Sequence, residues 1–362
     1  MELEALPVGY GDCLLLSWRE HEETRRLIVD GGPRSTADVL RRRIEELPAA
    51  ERAFELLVVS HIDCDHIDGA LALLRDPPSG FVVRDVWFNG YRHLPPDNRA
   101  RRGVREGIEL DETLDGNSYP RNRRFSGGAV VRPDDGVGAA LELPGGMRLT
   151  VLSPTLAQLA RLRPVWDDVV ERAQRGDPEE DEVVDTSVRL HRGGTRSLDA
   201  LAATVGSNDR APANASSIAI LAEFGGLRCV LAADAVPQVL LPALEAVRRP
   251  GEARLALDLC KVPHHGSAKN VPAALVAGLD CSSYVFSTNG ARFGHPDPPA
   301  VARVILEGGP EPELFFNYRA STTTAWTEQS WQNQKPFRTT FAPADETLRV
   351  PLQARVHAKR SG

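Results

Sequence analysis

The sequence of 362 residues is long enough to form one large α/β domain or two small ones around a full hydrophobic core. Its formal net charge of −7 and its isoelectric point near 5.8 exclude a protein that binds nucleic acid through overall basicity, because phosphate contacts need clustered cations. The five cysteines are odd in number and widely spaced, which indicates reduced thiols and predicts a cytoplasmic protein. No apolar window approaches the ~18 residues of a membrane-spanning helix, so we expect no membrane contact.

Strands and helices alternate in the N-terminal part of the chain. Two apolar runs joined by a charged turn predict a β-hairpin, which the sequence Asp30-Gly31-Gly32-Pro33 ends. The predicted elements are strands at 13–18, 27–29, 56–59 and 82–88 and helices at 36–47 and 68–75. This order is typical of an α/β fold. It puts residues 61–66 in a loop between a strand and a helix, where α/β proteins keep their chemistry.

Two charged stretches with little periodicity are predicted to be insertions on this fold. The first covers about 91–138 and the second about 155–213. The first is rich in arginine but also contains acidic residues that offset the charge. It therefore predicts either a solvated surface or an arm that contacts phosphate groups.

Strand patterns return after the second insertion. The predicted strands are a hairpin at 217–223 and 227–233 and further strands at 255–262 and 283–287, with strand composition again from 313 onward. We predict one domain over residues 1–310. A strand-rich extension over 311–362 is expected to pack on the same domain.

The strongest chemical signal follows the predicted strand at 56–59. The segment SHIDCDHIDG starts at residue 60 and places four metal-competent side chains within six residues, namely His61, Asp63, Asp65 and His66. Imidazole and carboxylate groups at such positions in a tight loop can converge on a pair of cations. An EF-hand loop would need glutamate at its twelfth position, where this chain has Leu74, so the spacing excludes it.

Two later strand ends add further candidate ligands. Asp234 follows the apolar run from 230 to 233, and the adjacent His264 and His265 follow the strand predicted at 255–262. Each signal alone is weak, because aspartate often begins a turn. The sequence does not decide which of the two histidines binds metal, and we favour His264.

In this order the three elements resemble the metallo-β-lactamase superfamily, whose members carry the loop HxHxDH, a later strand-end aspartate and a final histidine. The closer resemblance is to the ComEC-like branch, the nuclease-type domains of DNA-uptake proteins and their stand-alone relatives, in which the loop often has the form SHxDxDHxGG. The similar stretches are 8–12, 30–32, 60–69, 214–217, 261–267 and 293–296, within about 1–90 and 214–300. The resemblance implies an α/β fold, a metallo-β-lactamase-type αββα sandwich with two insertions and a C-terminal extension.

The resemblance also implies a site for two divalent metal ions, Mn²⁺ or Zn²⁺, or else Mg²⁺. The implied ligands of the first ion are His61, Asp63 and Asn214, those of the second are Asp65, His66 and either His264 or His265, and Asp234 bridges the two. Asn214 stands where most of the superfamily has a third-motif histidine, and it is equally well interpreted as a turn residue. Asp30 is expected to orient a ligand through a hydrogen bond.

The implied function is that of a metal-dependent hydrolase, and the ComEC-like motifs favour a two-metal phosphodiesterase or nuclease that acts on DNA or RNA. Asp65 and His295 are the predicted catalytic residues, with His295 contacting the scissile group or protonating its leaving oxygen. Lys261 and Arg292 could add phosphate contacts, although Lys261 could equally point to solvent. The alternatives are a phosphodiesterase for small cyclic nucleotides and a metal-binding effector or interaction module with weak catalysis.

The expected partner is therefore a nucleic acid or nucleotide phosphodiester, while no particular protein partner is indicated. Four histidines lie outside any such motif and are predicted to be surface residues, namely His21, His93, His191 and His357.

Overall fold

The computed structural model describes residues 1–95, 105–166, 168, 197–204, 206–344 and 346–352. The strands are β1 (Glu2–Ala5), β2 (Leu14–Glu20), β3 (Glu23–Val29), β4 (Ala53–Phe54), β5 (Leu56–Val58), β6 (Val82–Val83), β7 (Val86–Trp87), β8 (Leu141–Leu143), β9 (Met147–Ser153), β10 (Ala219–Phe224), β11 (Leu227–Leu231), β12 (Leu255–Leu257), β13 (Leu259–Lys261), β14 (Leu279–Cys281), β15 (Ser283–Phe286), β16 (Glu313–Phe316), β17 (Arg338–Phe341) and β18 (Leu348–Pro351). The helices are α1 (Ala37–Glu45), α2 (Cys64–Arg75), α3 (Arg105–Gly116), α4 (Leu156–Leu162), α5 (Leu198–Ala202), α6 (Pro212–Ala215), α7 (Pro237–Ala246), α8 (Ala273–Ala277), α9 (Pro298–Glu307), α10 (Ser321–Thr324) and α11 (Gln329–Gln332).

The N-terminal sheet has the strand order β18-β1-β2-β3-β5-β7. From β18 through β1 and β2 to β3, each strand pair is antiparallel, whereas the pairs β3–β5 and β5–β7 are parallel. The predicted hairpin is confirmed as β2 and β3, which pair from Leu14 opposite Val29 to Glu20 opposite Glu23. The predicted helix at 36–47 is confirmed as α1.

The C-terminal sheet has the order β17-β16-β15-β13-β11-β10-β9-β8. Its strands from β11 to β17 are parallel to their neighbours, and β8 to β11 are antiparallel. The predicted hairpin at 217–223 and 227–233 is confirmed as β10 and β11, and the strand at 283–287 as β15. The described part of the chain therefore contains two large sheets, one of six strands and one of eight.

Two segments predicted as single strands are each split in two. Over 255–262 the chain forms β12 and β13, because Asp258 leaves the strand and its backbone N–H and its carboxylate both bond to the backbone of Arg228. Over 82–88 it forms β6 and β7, and the carboxylate of Asp85 accepts the N–H of Val86 at the break. Local polar bonds of this kind compete with a continuous ladder.

Side chains alternate between two apolar layers on each sheet, as the period of two in a strand requires. Leu16 and Ile220 point into the core between the sheets. Leu15 packs outward with residues of α1 and α2, and Leu221 packs outward with residues of α7 and α9. The order of layers is helix, sheet, sheet, helix, so the predicted αββα sandwich is confirmed.

The carboxyl ends of the parallel strands carry the candidate residues. Motif residues follow β3, β5, β11, β13 and β15, which belong to both sheets. Parallel strands end at the same edge of a sheet, so these residues meet at one edge of the sandwich. The prediction that residues 61–66 all lie in a loop is wrong: α2 begins at Cys64, because the carbonyl of Asp63 already accepts the N–H groups of His66 and Ile67.

The C-terminal part is less rich in strands than its composition predicts. Residues 313–316, 338–341 and 348–351 form strands, but α10 and α11 occupy much of the stretch between them. There the indoles of Trp326 and Trp331 are fully buried with ring centroids 5.1 Å apart, and burial of these rings favours a compact helical turn. Within the described ranges, no helix has the length and apolar character needed to cross a membrane.

Candidate metal centre

The first motif sits between the end of β5 and the first turn of α2. His61, Asp65 and His66 are all buried there. The loop after β3 packs tightly on this turn, because the N–H of Gly31 donates to the carbonyl of His66 at 2.9 Å. A Cβ atom on Gly31 or Gly69 would collide with the opposing backbone, so glycine is required at both positions.

Asp234 lies at the centre of four imidazole rings. Its Oδ2 atom is 3.2 Å from Nε2 of His66, 3.6 Å from Nε2 of His265, 3.7 Å from Nε2 of His264 and 4.0 Å from Nε2 of His61. No other carboxylate of the described chain is within 4.0 Å of so many histidines. Both histidines of the adjacent pair therefore face the same carboxylate.

Two further carboxylates lie at opposite sides of this group. Oδ2 of Asp63 is 3.1 Å from Nε2 of His61. Oδ2 of Asp65 is 3.8 Å from Nε2 of His66 and 3.5 Å from Nε2 of His265. The cluster thus divides into one part around His61 and Asp63 and another around Asp65, His66 and His265.

The Nδ1 atom of each of these rings is bonded outward. The partner of His61 is the Ser60 hydroxyl at 2.9 Å, that of His66 is Asp30 at 2.9 Å, that of His264 is Asn270 at 3.0 Å and that of His265 is the Ser287 carbonyl at 2.8 Å. A metal-binding histidine usually has such a partner, which fixes the ring and leaves the other nitrogen to the ion. The four rings are therefore oriented with Nε2 toward one point.

The residues fit a pair of metal ions. Among the described residues, no group forms a hydrogen bond with the buried Nε2 atoms of His61, His66 and His265, although buried polar atoms are normally bonded. Ligand atoms that share an ion at ~2.1 Å are about 3.0–3.4 Å apart, which is comparable to the separations of these atoms. In the part of the chain that the structure describes, four three-residue groups have ligand atoms close enough to share an ion. Two of them contain only predicted ligands, namely His61 with His66 and Asp234, and Asp65 with His66 and His265.

Negative charge dominates the interior of the cluster. Burial lowers the pKa of the His265 imidazolium, but Asp234 and Asp12 outweigh burial and raise that pKa to about 9. Burial also opposes protonation of His66, yet Asp234, Asp65 and Asp30 raise its pKa well above the ordinary value. Buried carboxylates in such excess attract cations, and a divalent ion can replace the protons that the imidazoles would otherwise hold.

Asn214, a predicted ligand, lies beside His264. Its amide nitrogen is 2.8 Å from the Asp209 carboxylate and 3.4 Å from Nδ1 of His264, on the side of the ring that faces away from Asp234. The Asp209 carboxylate also accepts a hydrogen bond from Asn270, at 2.9 Å. Asp209, Asn214 and Asn270 thus surround the outer face of His264.

Sequence reasoning missed the contribution of Asp209 and Asn270. Asp209 lies in the segment predicted as the second insertion, which offers no motif, and Asn270 lies three residues beyond the similar stretch that ends at Ser267. Asp12, at the end of the similar stretch 8–12, was also not assigned a role. Its carboxylate is fully buried and lies 3.5 Å from Nδ1 of His265.

Lys261 is not a surface residue, so both earlier interpretations of it as a phosphate contact or a solvent-facing side chain are wrong. The side chain is fully buried and its ammonium group forms an ion pair with Asp12. It also lies 3.9 Å from Oδ1 of Asp234. Burial lowers the pKa of Lys261, but Asp12 and Asp234 outweigh burial and raise it, so the lysine stays charged. One cation offsets only one of the buried carboxylates.

His295 lies at the margin of the cluster. Its ring centroid is 5.6 Å from that of His264, and its Nδ1 is bonded to the Asp297 carboxylate at 3.0 Å. The histidine is buried and therefore rigidly oriented. The structure thus brings this predicted catalytic residue next to the candidate ligands.

The backbone is strained at the same place. Asp30, Ala233, His264 and His265 have φ values of 61°, 47°, 47° and 52°, in the left-handed region that non-glycine residues rarely adopt. Such conformations cost of order 1–3 kcal/mol each and persist only where the surrounding structure enforces them. Strain that gathers at the ends of β3, β11 and β13 is typical of a functional site.

These features define a class of protein, an αββα sandwich with a candidate dinuclear metal centre at its strand ends. No protein-family model matches the sequence, and no curated protein is significantly similar to it. Among solved structures, the chain is similar to CmlA, a diiron β-hydroxylase from Streptomyces venezuelae, with a TM-score of 0.40 and 14% identity over 97% of this chain and 54% of that one. It is also similar to YhfI, a metallo-β-lactamase fold protein from Bacillus subtilis, with a TM-score of 0.39 and 10% identity over 96% and 99% of the two chains.

A third similar structure is the Rm3 metallo-β-lactamase, with a TM-score of 0.33 and 13% identity over 84% of this chain and 87% of that one. The chain spans about half the length of CmlA. Because all three scores are low, the fold is defined here by its layers and the site by its own geometry.

Proposed function

We propose that this protein is a metal-dependent phosphodiesterase that binds two divalent cations and cleaves DNA or RNA. The observation that carries the proposal is the convergence of four imidazole Nε2 atoms on one buried carboxylate, Asp234, with every Nδ1 atom bonded outward. A structural histidine needs no such arrangement. In a metal site, by contrast, the outward bond of each Nδ1 atom orients the ring, and Nε2 and the carboxylate are left to bind cations.

We assign His264 and His265 to different ions. His61, Asp63 and His264 would hold the first ion, Asp65, His66 and His265 would hold the second, and Asp234 would be a ligand of both. The distance of 3.5 Å between His265 and Asp65 supports the second set, and the placement of Asn214 behind His264 supports the first. In this assignment His264 takes the place that the superfamily resemblance gave to Asn214, and Asn214 orients His264 from behind.

The two ions, when bound, would activate water for attack and neutralise the charge that develops on the phosphoryl oxygens. The protein itself would hold the ligands in place through Asp30, Ser60 and Asn270, and would supply a proton to the leaving group. His295, oriented by Asp297, would donate a proton from Nε2 to the leaving oxygen. Its place beside His264 supports this role, because the leaving oxygen must lie close to the metal centre.

Asp63 stands where the superfamily loop HxHxDH has a histidine, so the assigned ligand set contains three carboxylates beside its four imidazoles. Hard ligands favour Mn²⁺ or Mg²⁺ over Zn²⁺. We therefore propose Mn²⁺ as the ion that best supports activity. Two tightly bound zinc ions in the purified protein, with activity that does not respond to added Mn²⁺, would contradict this choice.

The substrate class rests on the similarity of the motifs to the ComEC-like branch, in which nuclease-type domains prevail. The decisive experiment incubates the purified protein with labelled single-stranded DNA, duplex DNA, RNA and cyclic nucleotides in Mn²⁺. Asp65→Asn removes a ligand charge and should abolish cleavage. Asp76→Asn makes the same chemical change at the exposed end of α2 and serves as the matched control.

The outcomes separate the candidate functions. Cleavage of polynucleotides by the wild type and the control, but not by Asp65→Asn, supports the proposal. Cleavage confined to cyclic nucleotides would replace it with the small-nucleotide alternative. Absence of turnover with Mn²⁺, Zn²⁺ and Mg²⁺ would favour an effector or interaction module, and near-normal cleavage by Asp65→Asn would refute the two-metal model.

Metal analysis tests the ligand assignment separately from the substrate. His264→Ala and His265→Ala should each reduce the content from two ions to about one, whereas Asn214→Ala should keep two. Cobalt substitution should give different absorption spectra for the two histidine variants, because different ions remain. Identical spectra, or full metal content in His264→Ala, would return Asn214 to the first site.

A further inference from the structure

A cationic and aromatic wall lies beside the candidate metal centre and has no part in holding metal. It consists of Tyr10, Arg292 and Phe293, and all three side chains are half-buried. Tyr10 comes from the loop before β2, and the other two come from the loop after β15. The two loops are joined at this point, since the N–H of Asn289 donates to the carbonyl of Gly9 at 2.9 Å.

The guanidinium of Arg292 is held by both rings. Its carbon is 4.9 Å from the centre of the Tyr10 ring and 5.0 Å from that of Phe293, within the range of a cation–π interaction. Its Nη1 atom also donates to the Tyr10 hydroxyl at 2.9 Å. The two rings meet edge to face at 6.0 Å. A long flexible side chain is thus fixed in one orientation.

The wall is next to the metal ligands on both sides. Gly11, which follows Tyr10, packs so closely on the backbone of Asp65 that a Cβ atom would not fit. The Phe293 ring is 6.2 Å from that of His295, which is 5.6 Å from that of His264. Arg292 therefore lies between the first turn of α2, which carries Asp65, and His295, the predicted proton donor.

We infer that Arg292 is a specificity residue that binds a second phosphate group of the substrate, next to the one at the metal centre. A planar guanidinium can contact two phosphate oxygens at once, and the two cation–π contacts fix the plane of the Arg292 guanidinium. A positive group beside a carboxylate-rich site also gives an extended anion one preferred orientation. The inference rests on the proposed function and narrows its substrate to chains with at least two phosphates.

The test compares thymidine dinucleotides that carry a phosphorothioate internal linkage, which slows cleavage, with and without an added terminal phosphate at the 5′ or the 3′ end. Calorimetry in Mn²⁺ measures their dissociation constants for the wild type, Arg292→Gln and Arg292→Lys. Arg163→Gln is the matched control, because that arginine also lies over an aromatic ring, 4.2 Å from the centre of Tyr91. Metal content is measured for every variant.

A phosphate added at one of the two ends, but not at the other, should strengthen binding to the wild type and the control by about tenfold. In Arg292→Gln this gain should fall below about twofold, with two ions still bound, and Arg292→Lys should give an intermediate gain. An unchanged gain in Arg292→Gln would overturn the inference, as would a wild type that shows no gain. If Arg292→Gln loses metal or fails to fold, Arg292→Lys decides the question: an intermediate gain supports the inference, and a gain equal to that of the wild type overturns the contact of the planar guanidinium with the phosphate.

Steady-state cleavage of DNA by the same variants distinguishes this inference from the proposed function. A wild type that cleaves no phosphodiester but gains tenfold from the terminal phosphate through Arg292 would refute the function and keep the anion site. A wild type that cleaves DNA, with KM and kcat unchanged by Arg292→Gln, would keep the function and refute the anion site.

Discussion

Replacing Lys261 with methionine tests whether the buried ion pair with Asp12 stabilises the fold. Both side chains are fully buried, and methionine has nearly the length of lysine without its charge. Lys261→Met therefore leaves the Asp12 carboxylate in the protein interior without its main counter-ion. His265, with Nδ1 3.5 Å from Asp12, remains close enough to compensate in part.

The expected cost follows from these contacts. Removal of one partner of a buried ion pair costs ~3–5 kcal/mol, because the other charge stays desolvated. Since His265 can offset part of this loss, we expect a decrease in the free energy of unfolding near the lower limit, about 3 kcal/mol. The double variant Asp12→Asn/Lys261→Met, which removes both charges, should recover more than half of that decrease.

The assay is urea unfolding of the metal-free protein, followed by fluorescence and by circular dichroism to check for a single transition. Lys269→Met is the control, because this lysine is only partly buried and its replacement should change the unfolding free energy by no more than about 0.5 kcal/mol. A loss below about 1 kcal/mol in Lys261→Met would refute the reasoning. So would a double variant that is no more stable than Lys261→Met.

Three further predictions concern the histidines. Asp30→Asn, which weakens the partner of His66, should lower metal affinity and turnover ~10–100-fold, and calorimetric titration of Mn²⁺ checks it; unchanged affinity would show that the contact is dispensable. His295→Ala should lower turnover by about 10²-fold with metal content unchanged, and loss of metal would instead make His295 a ligand. Burial, with help from Arg121, lowers the pKa of His93 to about 4, so its contribution to stability is complete above the unfolded value near 6.5 and declines as the pH falls toward 4. Measured by urea unfolding, the free energy of unfolding should be lower at pH 5 than at pH 7.5, and His93→Gln should reduce this difference by about 1–2 kcal/mol. An equal difference in both proteins would contradict this prediction.

The sequence was most informative where chemistry and periodicity coincide. The density of His61, Asp63, Asp65 and His66 after a buried strand, with the later strand ends at Asp234 and His264, was enough to predict that these residues meet, because parallel strands end at one edge. The αββα layers followed from the resemblance and from the alternation of apolar residues. The ligand roles themselves stay predictions until metal is measured.

The residues that orient the site were much harder to predict. Asp209 reaches His264 from a segment without a motif, and the Asp12 carboxylate reaches Lys261 across 249 positions of the chain, a separation that no local pattern encodes. A histidine such as His93, expected on the surface, is buried by the packing of a short turn that starts at Gly90. His191 and His357 lie outside the described residues. Tertiary contacts decide such positions, and a single sequence does not show them.

The pairing of β18 with β1 has a consequence for biosynthesis. Glu2 lies opposite Pro351, and Arg349 contacts the carboxylate of Glu4 at 3.1 Å. Because the ribosome makes β1 first, the outer edge of β1 stays open until residues 348–351 have emerged. An open strand edge can form hydrogen bonds with a strand of another chain. Until β18 has paired with β1, the nascent protein is therefore exposed to aggregation at this edge, and a chaperone could prevent it.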